Sequence, residues 1–191
     1  MILQRIVCYA LLVATTLVFI YSLGLVTDMY EAGFGFWAEN YEKFAPQVEG
    51  TEVYYLIQGF NSELTICGIV LILLAVSQFL FQNHARRRYY IANYITVGVN
   101  TIAAIAAYVW ALGEISTYRE LYLKVNFEQL KEVNELWGNV YKYTDSTFWF
   151  DFGEVVFAFL LITTVLNVAN LVFKILLMNA EKKLIEAGKE E

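Results

Sequence analysis

The side chains in this chain that could do chemistry are few, and they group by type. Glu63, Glu114, Asp151 and Glu154 carry carboxylates at the edges of long apolar runs. Together they could form an acidic vestibule that concentrates cations or binds one hard ion through oxygen. The competing reading is local: Glu63, Asp151 and Glu154 stand where helices begin, and a carboxylate there is favoured by the free N–H groups and the helix dipole. Pairing with Arg119 or with a partner is the third possibility. A second group is uncharged: Gln78, Asn100, Asn167 and Asn170, with Ser77 beside them, lie inside the apolar runs. Amides in that setting either hydrogen-bond between helices or line a polar path, and the first is the expectation.

The remaining candidates carry less. Cys8 and Cys67 fall near opposite ends of different apolar runs, too far apart to bridge, and no Cys-x-x-Cys is present. Both read as small apolar residues. The single histidine, His84, sits beside Arg86, Arg87 and Arg88, outside the runs, so axial haem ligation and Glu-x-x-His di-iron chemistry have no residues to carry them. His-Glu-x-x-His, Gly-x-Ser-x-Gly and the phosphate-loop pattern are absent as well. The chain is therefore expected to be non-enzymatic, with no metal and no organic cofactor. Asp151 and Glu154 would be the only carriers of an acid–base role on a lipid or quinone.

The elements that position these residues are long and apolar. The chain has 191 residues, 59% hydrophobic and only 17% charged, against roughly a quarter charged in soluble domains. Four stretches, 6–26, 64–81, 90–112 and 152–173, meet the roughly 20 residues that a helix needs to cross a hydrocarbon core. Their continuity excludes the alternation of a β-barrel. The expected fold is an all-α integral membrane protein, a four-transmembrane-helix bundle forming one domain. It has two outer loops, 27–63 and 113–151, a short loop 82–89 and a tail 174–191. The first run could alternatively be a signal peptide, but its length exceeds the usual apolar core of one.

Charge sets the expected orientation. Segments 1–5, 82–89 and 174–191 hold Arg5, Arg86, Arg87, Arg88, Lys174, Lys182, Lys183 and Lys189, whereas the two longer loops share only five basic residues. The positive-inside rule places both termini and the triple arginine in the cytoplasm, where Arg86–Arg88 would anchor on anionic lipid. An eight-residue loop held at a membrane is no nucleic-acid reader. With no Asn-x-Ser/Thr sequon, a bacterial cytoplasmic membrane is the expected location.

The loops and spans differ in texture. The first outer loop is rich in aromatics, including Tyr30, Phe34, Phe36, Trp37, Tyr41, Tyr54, Tyr55 and Phe60. It reads as an aromatic belt with a small outer core. In the second, Asn126-Phe127-Glu128-Gln129 is a capping-box pattern. Phe127, Leu130, Val133, Trp137, Val140 and Tyr141 then recur at helical spacing, which predicts an amphipathic helix of about 16 residues with Gly138 only weakening it. Its apolar face is expected to be covered within the chain. The third span carries Ala103, Ala107 and Ala111 every four residues, a face expected to pack centrally or against another subunit. The fourth helix is expected to continue past Lys174 to near Gly188.

The four-span, two-outer-loop plan resembles that of claudins and tetraspanins. Only Phe34-Gly35-Phe36-Trp37 faintly follows the claudin loop signature, neither outer loop has a cysteine, and the Cys-Cys-Gly of tetraspanins is missing, so nothing carries over. The expected function is an accessory or structural subunit of a larger membrane assembly such as a transporter, its partners being lipid and another integral membrane protein or itself. The alternative is a small homo-oligomeric channel or carrier.

Overall fold

In a computed structural model of the chain, residues 2–24, 48–82, 90–136, 138 and 143–187 are described. Among them 89% are helical and no strand occurs. The helices are α1 (Ile2–Ser22), α2 (Glu52–Gln82), α3 (Tyr90–Tyr122), α4 (Phe127–Leu136) and α5 (Phe148–Ala187). All but α4 are long and apolar enough to cross a membrane. His84, Arg86–Arg88, Lys189, Trp137, the stretch 139–142 and residues 27–47 of the aromatic first loop lie outside the described residues.

The boundaries show where periodicity continues beyond hydropathy. α2 begins twelve residues before the expected span, because Val53, Ile57, Phe60 and Leu64 form one apolar stripe at helical spacing, all buried. Likewise α3 runs ten residues past position 112, and its Ile115 and Tyr122 stay on the buried face. Much of what hydropathy assigns to the outer loops is therefore helix rising beyond the apolar spans. α1 starts earlier than expected and stops at Gly24, whose φ of 61° closes the last turn with its N–H on the Tyr21 carbonyl at 3.0 Å. α4 is described over ten of the roughly 16 residues expected for it, Trp137 and 139–142 lying outside the described residues. Gly138 stops it rather than weakening it: at φ 85° its N–H bonds the Glu135 carbonyl at 3.1 Å. α5 starts at a Ser-Thr cap, with Phe148 N–H on Ser146 Oγ and the Thr147 hydroxyl on the Asp151 carboxylate. It then continues through the tail to Ala187, as expected.

The four long helices form a closed ring. α1 packs beside α2 and α5, and α3 packs beside the same two, so α1 stands opposite α3 and α2 opposite α5. The start of α1, the end of α2, the start of α3 and the end of α5 lie at one end of the ring, and α4 caps the other. The exterior is apolar where that of a soluble bundle is polar, and the apolar interior also holds amides. Gln78, Asn100 and Asn167 are at most 1% exposed, while Ile102, Leu73 and Ile162 on the same helices point outward at 72%, 61% and 57%. Such an exterior suits lipid, which offers apolar contact and no hydrogen bonds.

Close approach between α1 and α2 rests on Gly68. A Cβ there would lie 2.9 Å from the Phe19 Cα, and the hydroxyls of Thr65 and Ser22 bond one turn away at 3.0 Å. Gly59, on the same helix, faces open space. Gly68→Ala is thus expected to push the helices apart and cost about 1–3 kcal/mol. Gly59→Ala should instead leave stability unchanged or raise it by up to about 1 kcal/mol through helix propensity. Reversible unfolding of both variants in detergent micelles checks the contrast.

Candidate functional site

Two polar constellations emerge, one deep and one near the cap. The deep one is built on Gln78. Its Oε1 accepts from Asn100 Nδ2 at 3.0 Å and from Asn167 Nδ2 at 3.1 Å, while its Nε2 donates to Asn167 Oδ1 at 2.7 Å. Gln78 and Asn167 thus form a reciprocal amide pair across the diagonal of the ring, with α3 tied in through Asn100. The Cys8 thiol of α1 lies within hydrogen-bonding reach of the same glutamine. One level therefore gathers a polar group from every long helix. Asn100 reaches the same level as Gln78 and Asn167, where depth counted along the chain sets it nearer mid-membrane.

The arrangement is that of a joint. Each amide is desolvated, and an unsatisfied amide in an apolar medium costs several kcal/mol, so the amides hold one another's orientation. Asn100 Oδ1 keeps no partner among the described residues, a cost borne by the cluster. Asn170 takes no part: it is half-buried and makes none of these bonds, and Ser77 bonds the Leu73 carbonyl of its own helix. By sequence Cys8 reads only as a small apolar residue, and the available signal was its position nearly two turns inside the start of α1.

The carboxylates at the cap end do not converge. Arg119 takes two of them, Asp151 at 2.9 Å and Glu154 at 3.1 Å, all three groups being a third or more exposed. Glu63, which lies well inside α2 and not at a helix start, and Glu114 instead act electrostatically on the phenol of Tyr118. Among the described residues no group of three or more His, Cys, Asp or Glu side chains could hold a metal ion. Of the three readings open to these acids, pairing with Arg119 describes Asp151 and Glu154, and the Thr147 hydroxyl adds a capping bond to Asp151. Such exposed pairs contribute only about 0–1 kcal/mol.

The cap itself is organised by Tyr122. Its ring meets those of Phe127 and Phe150 at 5.2 Å and that of Tyr54 at 6.3 Å, and its hydroxyl donates to the Thr144 carbonyl. The start of α4 is capped as its sequence predicts, Gln129 N–H on Asn126 Oδ1 at 3.1 Å. Leu130 is buried, with Phe127 and Val133 packed against the core, so its apolar face is covered within the chain. The segment before α2 docks here too: Gly50, at φ 85°, sits where a Cβ would come within 2.8 Å of the Val125 backbone, and Asn126 N–H bonds the Glu49 carbonyl.

The alanine face of α3 is also used internally. Ala107 and Ala111 are 5% and 0% exposed, and Ala103 packs against the core beside them. The face therefore packs centrally, against the chain's own helices.

The chain matches no known family model, no curated protein and no solved structure.

The hub predicts an asymmetric mutational response. Gln78→Leu deletes three hydrogen bonds and strands Asn100 and Asn167, and is expected to destabilise by about 2 kcal/mol or more. Asn170→Ala is expected to change stability by less than about 0.5 kcal/mol. Unfolding of the purified variants in micelles, alongside the parent, measures both.

Proposed function

We propose that this protein is a non-enzymatic, multi-pass membrane subunit that supports a larger assembly such as a transporter. The observation that carries the reading is the free end of α5. At 40 residues, α5 is the longest helix, and its last turns run beyond the ends of α1 and α2. Leu184 and Ile185 there are 73% and 55% exposed, on a section that also bears Glu181, Lys182, Lys183 and Glu186. Charge of that density does not suit a lipid interior, and large apolar side chains on the same section do not suit water. A partner protein meets both requirements. The apolar strip continues up the helix through Leu177, Leu176, Phe173, Leu166 and Ile162, all at least half exposed, which gives an integral partner a membrane-level surface as well.

The rival reading, a homo-oligomeric channel or carrier, needs polar side chains turned toward a shared pore. Gln78, Asn100 and Asn167 are instead turned inward and bonded to one another, which favours the subunit reading. The positive-inside distribution of basic residues supports cytoplasmic termini and hence a cytoplasmic free end for α5.

Purification of the tagged protein from its native membrane in nanodiscs, with native mass spectrometry, tests the proposal. The expected result is a stoichiometric integral membrane partner whose recovery falls at least tenfold in the Leu184→Glu/Ile185→Glu variant, with the bundle still folded. A partner-free homo-oligomer that conducts ions in liposomes would replace this reading with the channel.

A further inference from the structure

The cap holds one pocket that none of the features above employs. It has a volume of about 200 Å³ and is half open to the outside. Glu49, Gly50, Glu52, Val53, Leu56, Leu121 and Lys124 line it, bringing together the start of α2 and the end of α3.

Its walls are set by backbone. Gly50 presses on the backbone of Lys124 and Val125, closer than any side chain would allow. Asn126 N–H holds the Glu49 carbonyl, and the Thr51 hydroxyl donates to the Val48 carbonyl at 2.9 Å. The two sides of the pocket therefore stay in register without any ligand. Its charges are a different matter. Arg119 pairs with Asp151 and Glu154 nearby, yet Glu49, Glu52 and Lys124 enter no ion pair with one another or with any other described residue. The pocket thus brings two carboxylates and one ammonium, none of them ion-paired among the described residues, together with the apolar side chains of Val53, Leu56 and Leu121.

We propose that this pocket binds a small zwitterionic amphiphile, its ammonium group held by Glu49 and Glu52, its anionic group by Lys124, and its aliphatic part laid on Val53, Leu56 and Leu121. A purely anionic ligand would meet two carboxylates and a purely cationic one would meet Lys124, so a molecule carrying both charges fits best. The available volume takes a group of about a dozen non-hydrogen atoms. A free α-amino acid with an aliphatic side chain and the phosphoethanolamine headgroup of a membrane lipid share this chemistry.

The test is calorimetry on the full-length protein in nanodiscs of phosphatidylcholine, titrated with leucine, with leucine methyl ester, which lacks the carboxylate, and with N-acetyl-leucine, which lacks the ammonium. In parallel, native mass spectrometry counts retained phosphatidylethanolamine against phosphatidylglycerol. Saturable binding of leucine with at least tenfold weaker binding of both derivatives assigns the free solute. Selective retention of phosphatidylethanolamine without leucine binding assigns the lipid. In either case Glu52→Gln and Lys124→Met are each expected to weaken binding at least tenfold. Lys124→Glu should reverse the preference toward the methyl ester. All three substitutions fall at surface positions, and unchanged unfolding of the variants separates lost binding from lost fold. Neither ligand binding, or binding indifferent to all three substitutions, would overturn the proposal.

Discussion

The reciprocal amide pair between Gln78 and Asn167 is the constraint on which the rest of the bundle depends. In an apolar interior an amide cannot exchange its partner for water, so a single glutamine restricts both the rotation and the height of every helix that bonds to it. Asn100 fixes α3 against the same oxygen, and the Cys8 thiol of α1 lies within reach of the same side chain. Once those faces point inward, the alternating faces point outward, which is why Ile102, Leu73 and Ile162 form the surface while Ala107 and Ala111 fill the centre. Small residues then let the ring close: Gly68 brings α2 onto Phe19 of α1, and Gly153 brings α5 onto Tyr21.

The cap obeys the same geometry under a different force. Above the hub the helices are joined by aromatic contact, with Trp149 4.7 Å from Tyr21 and both rings fully buried. Tyr122 extends this packing to α4 and to the start of α2. The cap is therefore a continuation of the bundle core, and its acids sit on the surface of that core. Arg119 neutralises two of them where α3 meets α5.

Hydropathy made the four long helices legible, and residue type made the hub legible: Gln78, Asn100 and Asn167 are amides in apolar runs, and interhelical bonding comes from that setting alone. Asn170 has the same type and setting, yet it bonds to none of them, because i, i+3 spacing puts it beside Asn167 without deciding which of the two meets Gln78. The ends of α2 and α3 were hidden by their polar residues. Glu63 and Glu114 lower the local hydropathy enough to suggest loops, whereas the stripe from Val53 to Leu64 keeps the helix intact. Gly138 shows the opposite failure, since its positive φ breaks the helix where the periodicity alone carries the pattern on. The internal use of the alanine face was likewise undecided in one dimension, because the same spacing serves a neighbour in the chain or in another subunit.

The most direct test of the hub is a double-mutant cycle at its central pair, Gln78→Ala, Asn167→Ala and the two together, read by reversible unfolding in micelles. The account predicts that the losses are not additive and that the coupling energy falls near about 0.6–1.7 kcal/mol, the range of interhelical hydrogen bonds in membrane proteins. Strictly additive losses would show that the two amides do not hold each other, and the joint at the centre of the bundle would have to be abandoned.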